Sequence, residues 1–287
     1  MNHEPGAGAA RRLWLRWLVE ALAAVTDDPA WEARVLLEEA LSGDALGLWR
    51  APESPLPDGA AQKLQTILQR RLDNEPLAYC LGHWDFWDLR LRVNSHVLIP
   101  RPDTETLVRW ALSQLKTTAG PILDLGTGSG AIALAIAKAC PDREVWAVDH
   151  SREALAVAQE NAQILGLPIQ FCWSDWTAQL PPGLRFALVL ANPPYLAEDD
   201  PHLPELCSEP RMALVAGKRG SEAYERILAG LPEHLLPGAR LGLEHGAGQG
   251  EMLRALLAQH GWQEIFTQRD LAGRERISGG LWRYGHA

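Results

Sequence analysis

Short apolar strands alternate with helices along the second half of the chain, and this alternation restricts the fold more than any other feature. Strands are predicted at residues 121–125, 145–149, 169–173, 186–191 and 239–244, with helices at 130–139, 151–165, 221–236 and 249–260 and two last strands at 262–269 and 275–285. Strands that alternate with helices are typical of a parallel sheet covered by helices on both faces. We therefore expect an α/β domain with a doubly wound, mostly parallel sheet over residues 100–287.

The first 75 residues follow a different pattern. Apolar residues recur at helical spacing and predict helices at 11–25, 29–42 and 58–73. Residues 1–75 carry eight Lys and Arg against twelve Asp and Glu, which makes a nucleic-acid-binding module improbable. We expect a small all-α domain that docks a protein substrate, followed by a β-hairpin linker over residues 76–99.

Composition and charge exclude several classes of function. The formal net charge of −9 lacks the basic footprint that supplies most non-specific affinity for nucleic acid, so no direct nucleic-acid binding is expected. The four cysteines are widely spaced and form no Cys-x-x-Cys pair, which predicts no metal site and no disulfide framework. The lack of a disulfide framework predicts a reducing, cytoplasmic environment. No apolar run is long enough to span a bilayer, so we predict no membrane association.

A glycine-rich loop follows the first predicted strand of the α/β domain. It consists of Gly126, Thr127, Gly128, Ser129 and Gly130, directly after Asp124-Leu125. Between a strand and a helix, such a loop offers backbone N–H groups to a ligand. The same residues also fit an ordinary turn with a helix cap, and they match the dinucleotide pattern as well. The glycines alone do not distinguish a nicotinamide cofactor from S-adenosylmethionine.

Acidic and aromatic residues follow the next two strands. Asp149 ends the second strand, where a carboxylate can accept both hydrogen bonds of a ribose diol, and its alternative role is a helix N-cap, which Ser151 can also perform. Asp175 and Trp176 follow the third strand, where they can contact an adenine ring, although a core tryptophan is nearly as good an explanation.

The tetrapeptide Asn192-Pro193-Pro194-Tyr195 discriminates between the two cofactors. It directly follows the apolar strand 186–191, so it faces the ligand crevice of a parallel sheet. The Asn192 side-chain oxygen and the Pro193 carbonyl can accept both N–H bonds of a planar NH2 group, while Tyr195 packs on its face. Hydride transfer requires nothing comparable. The order of the motifs therefore predicts methyl transfer from S-adenosylmethionine to an amide or amino nitrogen.

Seven segments of the chain form recognisable motifs: Glu75 to Tyr79 with Gly82, Leu98 to Glu105, Asp124 to Gly130, Asn192 to Tyr195, Glu209-Pro210, Glu244 to Gly246 with Gln249-Gly250, and Asp270 to Arg276. In these motifs, and across nearly its whole length, the chain resembles the release-factor glutamine methyltransferases of the HemK/PrmC type. The resemblance implies a Rossmann-like class I methyltransferase domain. It also implies that class I peptide chain release factors are the partners, through the glutamine of their Gly-Gly-Gln motif.

The resemblance assigns expected roles to individual residues. The cofactor would be bound by Gly126, Thr127, Gly128, Ser129, Gly130, Asp149, Trp176 and Asn192. The glutamine carboxamide would be received by Asn192, Pro193, Pro194 and Tyr195, of which Asn192, Pro193 and Tyr195 are the expected catalytic residues. One departure is visible, because Arg219 stands where the family usually has an acidic residue.

Several alternatives stay open on the sequence alone. Asp103, Thr104 and Glu105 fit a helix cap as well as a lining of the cofactor pocket. A DNA or RNA adenine methyltransferase would share the cofactor and Asn-Pro-Pro-Tyr chemistry, although it needs a basic groove for a polyanion. A protein that keeps the fold without catalysis would need neither Asp149 nor Asn192. His245 is expected to be structural.

Overall fold

The computed structural model describes residues 3–6, 8–42 and 47–283 of the chain. The chain divides into two compact units, residues 1–82 and residues 83–287. This division does not coincide with the predicted limits at residues 75 and 99. Residues 77–81, which were predicted to begin the hairpin, form a short helix in the first unit.

The first unit is helical. Its helices are α1 (Arg11–Leu22), α2 (Pro29–Ala40), α3 (Gly47–Arg50), α4 (Ala60–Leu72) and α5 (Leu77–Leu81). α1 buries Trp14, Leu18 and Leu22 completely, as its helical spacing of apolar residues predicts. α2 begins at Pro29 because the Asp28 side chain accepts the backbone N–H of Trp31 at 3.0 Å.

The second unit contains a seven-stranded sheet. A hairpin of β1 (His83–Phe86) and β2 (Leu89–Arg92) precedes the sheet. The strands of the sheet are β3 (Ile122–Leu125), β4 (Val145–Asp149), β5 (Gln170–Trp173), β6 (Phe186–Ala191), β9 (Leu235–Glu244), β10 (Gln263–Arg269) and β11 (Glu275–Leu281). Two short strands, β7 (Leu196–Ala197) and β8 (Val215–Gly217), pair with each other outside the sheet. The order is β10-β11-β9-β6-β3-β4-β5. All pairs from β9 to β5 are parallel, and β11 is antiparallel to both of its neighbours. This confirms the predicted mostly parallel α/β fold.

Helices cover both faces of this sheet. On one face lie α6 (Glu105–Gln114), α7 (Ala131–Ala139) and α8 (Arg152–Leu165), and on the other α10 (Glu222–Gly230) and α11 (Gly250–Gln259). The short helix α9 (Arg211–Leu214) contacts β8 instead. The helix predicted over 221–236 is too long, because Pro232 removes a backbone donor and residues 232–234 form a 3-10 turn before β9. Within the described ranges, no helix is long and apolar enough to cross a membrane.

The chain reverses its direction of winding beside β3. β4 lies on one side of this strand and β6 on the other. Leu125 at the end of β3 pairs with Val148 and with Ala191, so the loops after three neighbouring strands begin at the same level. Ligands of doubly wound folds bind at this kind of switch point, outside the carboxyl ends of the strands.

Candidate cofactor and substrate site

A cavity of about 300 Å³ lies at the switch point. Its walls include predicted site residues from the loops after four parallel strands: Gly126, Thr127, Gly128, Ser129, Asp149, Trp176, Asn192 and Pro194. The volume and the concave shape suit a small-molecule ligand. Gly130, Pro193 and Tyr195 are not among the lining residues. The roles predicted for all of these residues stay predictions.

The glycine loop has a backbone that only glycine adopts readily. Gly126 and Gly128 have φ angles of +71° and +57°. A side chain at Gly128 would meet no atom within 4 Å, which leaves open space on the ligand side of the loop. Gly130 serves packing, because a Cβ there would lie 2.9 Å from Leu134 Cδ1 and 3.3 Å from Ala158 Cβ.

Asp149 connects the glycine loop to β4. Its Oδ2 accepts the backbone N–H of Gly128 at 2.9 Å, and its Oδ1 accepts that of Ser151 at 2.9 Å. The hydroxyl of Ser151 accepts the N–H of Ala154 at 3.0 Å and thereby caps α8, so the cap does not depend on the Asp149 side chain. Burial raises the pKa of Asp149. Each carboxylate oxygen keeps acceptor capacity for a ligand hydroxyl.

Asp124 supports the glycine loop through hydrogen bonds to Thr127 and Ala133. Its Oδ2 accepts the Thr127 hydroxyl at 2.6 Å and the Ala133 N–H at 3.2 Å. Burial raises the pKa of this carboxyl to about 7. Its Oδ1 has no hydrogen-bond partner within the described residues. Asp124 therefore orders the loop without lining the cavity.

Trp176 and Asp175 form the wall after β5. The Trp176 backbone has a φ of +53°, and its ring lies 3.6 Å from the position that a Cβ of Gly126 would occupy. Asp175 forms an ion pair with Arg226, which also lines the cavity. The indole is half-buried and packs against the core as well. Trp176 therefore packs against the core and also lines the cavity, and its contact with an adenine ring stays a prediction.

Asn192 presents an unpaired acceptor at the end of β6. Its Nδ2 donates a hydrogen bond of 3.1 Å to the hydroxyl of Thr104. Its Oδ1 is buried and has no hydrogen-bond partner in the described part of the chain. A buried acceptor without a partner costs free energy unless a ligand supplies the missing donor.

The rest of the Asn-Pro-Pro-Tyr segment is held by packing and by a hydrogen bond to its backbone. Pro193 is buried, and Tyr195 is half-buried with a pKa that burial raises. The Tyr195 carbonyl accepts a 2.8 Å hydrogen bond from Gln249, whose Oε1 in turn accepts the Gly246 N–H at 3.0 Å. Gln249 and Gly246, which belong to the motifs shared with the family, therefore support the turn after β6.

The structure places residues 103–105 in three different surroundings. Thr104 lines the cavity, and its side chain makes no cap hydrogen bond to α6. Asp103 forms an ion pair with Arg276 at 2.9 Å. Glu105 accepts the Trp87 backbone N–H at 3.2 Å and does not line the cavity.

Two other residues are placed away from the cavity. His245 is fully buried, its Nε2 lies 3.0 Å from the Ser278 hydroxyl, and burial lowers its pKa. This agrees with a structural role. Arg219 is exposed and pairs with Glu225 at 2.8 Å and with Glu222 at 3.4 Å, so its charge is balanced by neighbouring carboxylates.

Part of the cavity wall was not anticipated. It includes residues from the segment before α6, the starts of α7 and α8, the loop after β5, and the region of α9, β8 and α10: His96 to Leu98, Pro100, Arg101, Ile132, Ala154, Ser174, Pro210, Met212, Ala213, Val215, Ala216, Ala223 and Arg226. Hydrophobic periodicity predicts helices and strands, and it does not show which of their residues line a ligand cavity. Only the resemblance of Leu98 to Glu105 and of Glu209-Pro210 to the family indicated that parts of this wall are functional.

Comparison with known proteins gives a consistent result. The family model "Methyltransferase small domain" matches residues 103–208, and the "PrmC N-terminal domain" matches residues 14–82. The release factor glutamine methyltransferase of Bordetella pertussis is 46% identical, with 88% of this chain and 94% of that protein covered. The protein of the same name from Vibrio cholerae is 42% identical, with coverages of 90% and 91%.

A solved structure supports the fold. The ribosomal protein L11 methylase of Lactobacillus delbrueckii subsp. bulgaricus superposes with a TM-score of 0.50 at 21% identity, over 68% of this chain and 86% of that one. The relatives found by sequence assign the family as well as the fold, because their similarity to this chain extends over both units. The chain therefore belongs to the release factor glutamine methyltransferase family and is an S-adenosylmethionine-dependent methyltransferase.

Proposed function

We propose that this enzyme transfers a methyl group from S-adenosylmethionine to the side-chain amide nitrogen of the glutamine in the Gly-Gly-Gln motif of class I peptide chain release factors. The observation that carries the proposal is the Oδ1 of Asn192 at the carboxyl end of β6. This oxygen is buried, and no described residue donates a hydrogen bond to it. A primary carboxamide supplies such a donor. Since translation ends in the cytoplasm, we also place the enzyme there.

The cavity fits the cofactor. The backbone of Gly126 to Ser129 borders the space, and Asp149 offers acceptors for the two ribose hydroxyls. Trp176 supplies an aromatic face and Asp175 a carboxylate for the adenine end. When bound, S-adenosylmethionine supplies an electrophilic methyl group on a sulfonium sulfur.

The enzyme's task toward the substrate is orientation. A carboxamide nitrogen is a poor nucleophile because its lone pair is delocalised into the carbonyl. We infer that Asn192 Oδ1 and the Pro193 carbonyl accept the two N–H bonds and aim the nitrogen, while Tyr195 packs on the planar group. No strong base is needed beforehand, because the methylated nitrogen sheds its extra proton readily.

We infer that the helical unit docks the protein substrate. It has the apolar, non-basic surface that protein recognition favours over nucleic acid: Trp49 is 69% exposed and Trp31 45% exposed. The acidic balance of residues 1–75 supports the same choice of partner. Affinity for an intact release factor would then come partly from a surface outside the cavity.

Labelling distinguishes this function from its runner-up. The enzyme is incubated with methyl-labelled S-adenosylmethionine and either a purified class I release factor or duplex DNA, and mass spectrometry locates the label. The matched control is the release factor with its Gly-Gly-Gln glutamine changed to glutamate, which lacks the NH2 group. We expect label only on the unmodified glutamine. Label on adenine, or equal label on the glutamate control, would contradict the proposal.

A further inference from the structure

The side chain of Gln249 joins three loops of the second unit. Its Nε2 donates a 2.8 Å hydrogen bond to the Tyr195 carbonyl in the turn after β6, and a longer one of 3.4 Å to the Gly220 carbonyl between β8 and α10. Its Oε1 accepts the backbone N–H of Gly246, which follows β9, at 3.0 Å. Both ends of this amide therefore hold backbone groups in place.

The backbone partners fix the direction of the Gln249 amide. A backbone N–H only donates a hydrogen bond, and a backbone carbonyl only accepts one. Rotation of the amide by half a turn would set Oε1 against the Tyr195 carbonyl and Nε2 against the Gly246 N–H. Two hydrogen bonds would then be replaced by two repulsive contacts. The donor end of Gln249 must therefore face Tyr195.

Gln249 locates the ring of Tyr195 as well as its backbone. The ring lies beside Gly246, because a Cβ at that glycine would be 3.5 Å from Tyr195 Cδ2. Gly246 is held by the Oε1 end of Gln249, and the Tyr195 carbonyl is held by the Nε2 end. One side chain thus determines where two parts of this tyrosine lie.

Helix capping does not explain these contacts. Gln249 directly precedes α11 but makes no side-chain cap hydrogen bond to it. Its partner Tyr195 lies 54 positions away in the chain. A Cβ at Gly220 would lie 2.7 Å from the Tyr195 carbonyl oxygen and 3.2 Å from Gln249 Nε2, so the glycine is required by the same contact. Two distant segments are therefore shaped around one carbonyl of the candidate substrate turn.

We propose that Gln249 is a positioning residue for methyl transfer, which holds the Tyr195 carbonyl and so keeps the tyrosine ring in place against the substrate carboxamide. This inference rests on the proposed function. A displaced ring no longer confines the planar amide, so fewer bound substrates present their nitrogen to the methyl group in a productive orientation. Gln249 does not line the cavity, and cofactor affinity should not depend on it.

The first test removes the hydrogen-bonding groups at position 249. Gln249→Met keeps the length of the side chain, so turnover at saturating cofactor and release factor should fall by about tenfold or more while the Kd for S-adenosylmethionine changes by less than about threefold. Gln259→Met is the matched control, because Gln259 is exposed on α11 and does not line the cavity. Circular dichroism and thermal unfolding compare each variant with the parent.

Gln249→Glu makes the same hydrogen bond depend on pH. A protonated carboxyl group can donate to the Tyr195 carbonyl and accept from Gly246, whereas a carboxylate only accepts and would repel that carbonyl. Turnover relative to the parent should therefore rise by about fivefold or more as the pH falls from about 8.5 to about 5.5. The ratio for Gln249→Met should stay constant, because methionine does not titrate. If the methionine variant does not fold, the glutamate series decides.

Gly220→Ala displaces the same carbonyl from another segment. Gly220 and Gly183 have φ angles of +74° and +81°, so alanine causes similar backbone strain at both positions. At Gly183 a Cβ would meet no atom within 4 Å, whereas at Gly220 it would meet the Tyr195 carbonyl. Gly220→Ala should therefore lower turnover several-fold, and Gly183→Ala should not.

A double substitution tests whether Gln249 acts through Tyr195. Adding Gln249→Met to the defective Tyr195→Ala enzyme should lower turnover by less than about twofold further. Losses that multiply, a folded Gln249→Met enzyme within about threefold of the parent, or a Gln249→Glu ratio that is constant with pH would each overturn the positioning role. The parent would still methylate the release factor in those cases. A parent enzyme that leaves the Gly-Gly-Gln glutamine unlabelled would overturn the proposed function, and this inference with it.

Discussion

The backbone N–H of Gly128 donates a 2.9 Å hydrogen bond to the Asp149 carboxylate and joins the glycine loop to the end of β4. One side chain thus both shapes the loop after β3 and offers acceptors to the cavity. Asp149→Ala should weaken S-adenosylmethionine binding by about 1.5–3 kcal/mol, because charge-assisted hydrogen bonds to the ribose are lost. Isothermal titration calorimetry measures the change.

The control for this substitution is the exposed Asp142, which does not line the cavity. Asp142→Ala should bind the cofactor as the parent does. A folded Asp149→Ala enzyme with unchanged affinity would show that the carboxylate only shapes the loop.

Asp124 predicts a pH dependence of stability. Burial raises its pKa from 3.8 to about 7, so the folded state binds this proton more tightly than the unfolded state does. The stabilisation is therefore fully present below pH 3.8 and is lost as the pH rises to about 7. Asp124→Asn should remove this dependence, so that its stability relative to the parent is higher at pH 8 than at pH 5 by on the order of 2–4 kcal/mol.

Urea unfolding of the cofactor-free enzyme at the two pH values measures this difference. Asp142→Asn should follow the parent at both. A difference between Asp124→Asn and the parent that does not change with pH would mean that the carboxyl is not protonated preferentially in the folded state.

The docking role of the helical unit predicts a selective effect of Trp49. Trp49→Ser removes a large apolar group that is 69% exposed, so it should raise the KM for an intact release factor several-fold and leave kcat unchanged. The KM for a short peptide that contains only the Gly-Gly-Gln loop should not change.

Ile164 provides the comparison, since it is 57% exposed on α8 in the other unit. Ile164→Ser should leave both KM values near those of the parent. If Trp49→Ser raised neither KM, or raised both equally, Trp49 would have no part in docking.

The sequence predicted the parts of the site that depend on local pattern. Gly126, Asp149 and Asn192 each directly follow or end an apolar strand, and parallel pairing brings the ends of those strands to one level. The cofactor assignment also followed from local residues, because Asn-Pro-Pro-Tyr suits an NH2 acceptor site. The sequence alone therefore predicted that these three residues line one cavity.

Features that depend on long-range contacts were not predictable. The hydrogen bond from Asn192 to Thr104 joins residues 88 positions apart, and nothing local distinguishes Thr104 from a helix cap. The wall from Met212 to Ala216 ends in β8, a strand that exists through pairing with β7. The helix ending at Gly230 was overextended because periodicity continued past the point where Pro232 interrupts hydrogen bonding.

The turnover of Asn192→Ala tests the central claim most directly. Rapid-quench measurement of methyl transfer to the release factor, under saturating substrates, is paired with calorimetric measurement of S-adenosylmethionine affinity. Removing one of two acceptors lets the carboxamide rotate, so we expect a loss of about 2–4 kcal/mol in transition-state stabilisation with a much smaller change in cofactor affinity. A rate within about twofold of the parent would contradict the account of nitrogen orientation.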